Sequence, residues 1–90
     1  MDLISETQNI IKKVGNIQKL EWFLQSAIGC EYYDRYGLPL ISQSNPSISE
    51  VRDLLVAYGE TFLLLKVAGK ISLENELLVK ELLGREFLNL

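Results

Sequence analysis

Between Ile10 and Tyr32 the apolar residues fall at threes and fours. Ile10, Val14, Ile17, Leu20, Leu24, Ala27, Ile28 and Tyr32 share one side of a helix, because about 3.6 residues complete a turn. Ser5 with Gln8 three positions on has the form of a capping box and predicts the start of this first region. Gly37 before "LP" predicts its end. Gly15 and Gly29 lie inside it, each weakening a helix by about 1 kcal/mol relative to alanine. One long helix and two helices broken at a glycine both fit the pattern.

A second period starts at "SISE". Ser47 and Glu50 form another capping box, with Pro46 just outside it. Val51, Leu54, Leu55, Tyr58, Phe62 and Leu65 make the apolar face, and the helix is predicted to end near Gly69. The third begins with Ser72 as N-cap. Glu74 and Glu76 follow, suiting the positive end of the helix dipole. Leu78, Val79, Leu82 and Leu83 form its inward stripe. The break "AGKIS" is short, so these two helices should fold back as an antiparallel hairpin. A buried strand is the alternative for "TFLLLKV", ranked second because no partner strand is visible.

The expected fold is therefore all-α, a bundle-like single domain of three or four helices over residues 1–90. A long helical region (1–36) is joined by a polar, proline-containing linker (37–47) to a helical hairpin (48–90).

The stretch "EYYDRYG", residues 31–37, divides by face. With Ile28 at zero and about 100° per residue, Tyr32 continues the core stripe and Tyr36 sits at its edge. Glu31 and Arg35 are four apart and can pair on the surface. Tyr33 projects elsewhere, on the side of Ile11 and Trp22, from which it is separated in steps of eleven residues, about three turns. Gly15, Ser26 and Gly29 fall on that side too. Ile11, Trp22 and Tyr33 thus form a candidate partner-binding face, unless the remaining helices cover it; a break at Gly15 or Gly29 would remove their common angular origin. Glu21 falls inside the apolar stripe, which implies a rim position or a bend.

The second helix carries its own surplus. Val56, Leu63 and Val67 lie opposite the main face, with Leu64 between, and join the candidate partner-binding residues. A helix apolar nearly all round must be covered nearly all round.

Composition sharpens this. At 90 residues, 48% hydrophobic with mean hydropathy +0.12, the chain has more apolar surface than a small domain easily hides. Cys30 is the single cysteine and there is no histidine, so neither an intrachain disulfide nor a histidine metal site adds support. A protein partner or a second copy of the chain, as a homodimer, is the expected alternative. The net charge of −3 is unfavourable for nucleic acid, whose binding rests on phosphate neutralisation. "MDLISETQ" has no signal-peptide pattern, and the longest apolar run, "FLLL", is far too short to span a bilayer. A cytoplasmic location without membrane contact is expected.

Catalytic chemistry finds little foothold. Without histidine the usual general base is missing. Cys30 with Arg35 or Lys19 nearby would make a thiol site, but a buried inert cysteine is the plainer reading. Glu74 and Glu76, two apart, do not share a helix face. "AGKISLENE" fails as a calcium loop, since its ligand positions fall on Leu64, Lys66 and Ala68 and its closing position on Asn75. "ISLENELLVKELLG" resembles the first helix and turn of a helix-turn-helix, but six residues remain after Gly84 for a recognition helix. Lys12, Lys13 and Lys19 are the only basic cluster. The sequence therefore predicts a non-catalytic, self-associating protein–protein interaction module with no cofactor, no metal and no evident small-molecule ligand. A DNA-binding regulator stands second and a thiol enzyme third.

Overall fold

The computed structural model describes residues 2–28 and 46–88. These form four helices, α1 (Leu3–Val14), α2 (Ile17–Ile28), α3 (Ile48–Val67) and α4 (Leu73–Leu88). The predicted roles of Gly29, Cys30, Glu31, Tyr32, Tyr33, Arg35, Tyr36 and Gly37, and all but the end of the 37–47 linker, lie outside the described residues.

α1 starts earlier than the Ser5–Gln8 pattern implied. Asp2 is the N-cap: its Oδ1 accepts from the Ser5 amide at 2.7 Å and its Oδ2 from the Ser5 hydroxyl at 3.3 Å. Ser5 is therefore inside the first turn, in the third helical position, and not at the cap. Thr7 is buried in α1 and satisfies its hydroxyl locally, donating to the Leu3 carbonyl at 2.6 Å.

The first helical region is two helices. Gly15 stops α1 with φ 120° and donates its N–H to the Ile11 carbonyl at 2.8 Å. Asn16 starts α2, its Oδ1 accepting from the Lys19 amide at 2.8 Å. A stop residue followed at once by a capping residue turns the chain sharply, so α1 and α2 pack on each other instead of running on.

The second capping box forms as read. Ser47 Oγ accepts from the Glu50 amide at 3.2 Å and donates to Glu50 Oε1 at 3.2 Å. The segment "TFLLLKV" is the last two turns of α3. Beyond them, Lys70 N–H donates to the Leu65 carbonyl and Gly69 N–H to the Lys66 carbonyl, the paired bonds of a Schellman ending. Ser72 then caps α4, accepting from the Asn75 amide at 3.2 Å. Lys66 near the end of α3 lies 3.7 Å from Glu76 near the start of α4, while Gly59 in mid-α3 meets Phe87 at the far end. The hairpin is antiparallel.

α3 is the central helix. It packs most extensively on α4, then on α1. All six residues of its predicted face are buried, together with Thr61 and Gly59. Leu20, Leu24, Ala27 and Ile28 of α2 and Val79, Leu82 and Leu83 of α4 close the same core. α4 bends at Gly84, whose positive φ of 71° is open to glycine and few other residues. The bend sends Phe87 and Leu88 into the core. Just before it, Lys13 of α1 donates to the Glu81 carbonyl at 2.8 Å. This places a cation where the helix dipole is negative.

Candidate interaction surfaces

The five described candidate partner-binding residues, Ile11, Trp22, Val56, Leu63 and Val67, do not share one face. Ile11 and Trp22 no longer have a common angular origin, because the chain turns at Gly15 and Asn16 between them. Ile11 is half-buried against the core, beside a shallow hollow bounded by Gln8, Asn9, Lys12 and Gly15. Trp22 is 61% exposed on the other side of the corner. It lines a separate open hollow with Val14, Asn16, Gln18, Lys19 and Phe23. Its ring meets Phe23 with centroids 5.1 Å apart and planes inclined at 70°. That is the edge-to-face arrangement aromatic pairs prefer. Tyr33 lies outside the described residues. Glu21, out of register on the single-helix reading, is half-buried in α2.

On α3, Val56 and Leu63 are half-buried and packed against the core. α1 and α4 already cover much of the surface that the sequence assigned to a partner. Together with Leu3 of α1 and Phe87 of α4, these two residues floor a hollow whose rim carries Glu60 and Glu86. Val67 differs, at 89% exposed.

Val67 has company that the sequence reading did not name as site residues. Leu73 is 69% exposed, and Leu64 and Leu77 are each 57% exposed. Leu64 and Val67 are three apart on α3, and Leu73 and Leu77 four apart on α4, so each pair shares a helix face. Both pairs flank the 68–72 turn at the closed end of the hairpin. Leu73 and Leu77 were detectable in principle, since both fall off the inward stripe of α4.

Polar chemistry on these surfaces is sparse. Lys66 and Lys80 each lie 3.7 Å from Glu76, a small bridge across the hairpin. Of the basic cluster Lys12, Lys13 and Lys19, Lys13 is committed to the Glu81 carbonyl. Beyond Gly84, where a recognition helix would have to begin, Phe87 and Leu88 are core residues. Among the described residues no group of carboxylate, thiol or imidazole side chains is placed to hold a metal ion, and no helix is long and apolar enough to cross a membrane. The chain matches no protein-family model, no curated protein and no solved structure with which it was compared.

Proposed function

We propose that the chain is a non-catalytic helical interaction module that also self-associates. The observation that carries this reading is the closed end of the α3–α4 hairpin. Val67, Leu73, Leu64 and Leu77 are left exposed there on both sides of one turn. Single exposed leucines are ordinary, but large apolar residues gathered at one end of a small domain are the usual mark of a contact surface. Apolar side chains at the centre of an interface supply most of its energy when a partner removes them from water. The hairpin presents them on rigid, well-capped helices, which keeps the ordering cost of association small.

Light scattering coupled to size exclusion tests the reading. The expected result is a mass above the monomer at micromolar concentration, reduced to the monomer mass by Leu73→Glu. A clean monomer mass that persists at high concentration would overturn self-association.

A further inference from the structure

The hollow between the start of α1, the middle of α3 and the tail of α4 has an unusual pairing of floor and rim. Its floor is Leu3, Val56, Leu63 and Phe87, and its rim carries Glu60 and Glu86. A third acid stands next to it. A Cβ placed on Gly84 would lie 3.5 Å from Glu86 Oε2 and 3.9 Å from Glu6 Oε1, so these two carboxylates border the same point. Among the described residues, no basic side chain lines the hollow and none of the three acids has an ion pair. Two carboxylates therefore line the hollow beside its apolar floor, a third stands beside one of them, and no ion pair among the described residues engages any of the three.

The volume narrows the choice of occupant. The hollow encloses about 260 Å³. That is below the size at which most small-molecule sites begin. It has room for one or two side chains. An arginine or lysine buries its aliphatic stem on apolar surface while its charged head stays at a polar boundary. Floor and rim match those two parts, and the net charge of −3 favours approach of a basic partner over long range.

We infer that this hollow is a docking socket for an arginine or lysine side chain presented by a basic segment of another protein. The stem rests on Val56, Leu63 and Phe87, and the cation sits at Glu60 and Glu86, with Glu6 beside Glu86. The inference rests on the interaction-module reading and gives it a second, chemically specified surface, apart from the hairpin end.

The test uses the full chain and a short synthetic amphipathic helix bearing arginine beside leucine, with a counterpart in which glutamate replaces arginine. Amide chemical-shift mapping should place the arginine peptide at Leu3, Val56, Leu63 and Phe87. Its affinity should fall with ionic strength. The double variant Glu60→Gln/Glu86→Gln should weaken it about tenfold or more, since rim charges govern both encounter and retention of a cation. Asp53→Asn, which neutralises a carboxylate outside the hollow, should leave it within about twofold. Equal binding of the glutamate peptide, shifts confined to another surface, or no response to salt would each overturn the inference. So would movement of the same amide signals on simple dilution without peptide, because the occupant would then be a second copy of the chain. Self-association through the hairpin end is read separately by mass, so loss of one result leaves the other standing.

Discussion

Gly59, in the middle of α3, lies directly against the backbone carbonyl of Phe87 in the last turn of α4. A Cβ at position 59 would overlap the Phe87 oxygen and stand only 3.2 Å from its carbonyl carbon, with Leu88 Cδ2 at 3.7 Å. The obstacle is backbone, so no side-chain rotation relieves it. Alanine in mid-helix normally gains about 1 kcal/mol over glycine. Here Gly59→Ala must instead push the α4 tail outward, and overpacking of this kind costs about 1–3 kcal/mol. Chemical denaturation should show a net loss of stability. A gain would mean that the α4 tail does not rest on α3.

The Asp2 cap gives a pH dependence of known sign. The hydrogen bond from the Ser5 backbone amide holds the Asp2 carboxyl below its ordinary value, against a smaller opposing effect of desolvation. The folded carboxyl is thus the stronger acid. Its contribution is present above the unfolded-state value of about 3.9 and is lost as pH falls through the lower folded value. The protection of the Ser5 amide, its exchange rate divided by the intrinsic rate at the same pH, should fall as the pH drops through that range. Asp2→Asn retains a capping oxygen and should make that protection independent of pH over the same range.

The periodicity carried most of the fold for a physical reason. Val51 through Leu65 repeat at the helical spacing because α3 has one face against α1, α2 and α4 along its whole length, and Ser47 and Ser72 cap helices through bonds to residues three positions away. Such local relations are written in adjacent residues. The periodicity leaves the break at Gly15 open because one glycine costs only about 1 kcal/mol, within reach of any tertiary contact; Asn16 beside it, whose side chain caps α2, is the signal that tips the balance. Asp2 carries no capping-box pattern, because its partner in the first turn is a serine and not the Glu or Gln of the usual box. The socket was illegible for a different reason. Leu3, Val56 and Phe87 meet only after three helices have packed, and the bend at Gly84 that delivers Phe87 leaves no periodic trace.

Trp22 is the single tryptophan, so its fluorescence reports one environment. At 61% exposed it should emit as a largely hydrated indole and be readily quenched by acrylamide. Trp22→Ala should cost less than the roughly 3–5 kcal/mol of a fully buried tryptophan, because only its contact with Phe23 and the α1–α2 corner is lost. Emission that shifts to the blue and resists quencher at high protein concentration would bring this corner into the self-association surface. Unchanged emission across the same range would keep it out.

The sequence treated Leu63 and Val67 as equivalent members of one outer face, and the structure separates them by burial. Leu63 is half-buried against the core, in the floor of the socket, whereas Val67 is 89% exposed at the hairpin end. A charge at position 63 would be drawn partly out of water beside Glu60 and Glu86. Leu63→Glu should therefore destabilise the fold by about 1–3 kcal/mol, combining lost apolar burial with like-charge repulsion. Val67→Glu replaces one solvated side chain with another and should fall within about 0.5 kcal/mol of the parent. The two variants should separate by readout: Val67→Glu lowers the solution mass toward the monomer with the circular dichroism unchanged, while Leu63→Glu lowers the melting temperature first. Lysine at 63 is the internal control. Leu63→Lys loses the same burial but meets Glu60 and Glu86 with opposite charge, so it should be measurably more stable than Leu63→Glu, and the gap should shrink in high salt. If the two Leu63 variants melt together at low salt, the acidic character of the rim is not felt at that position. If Val67→Glu unfolds the chain, the hairpin end is packed more tightly than its exposure indicates.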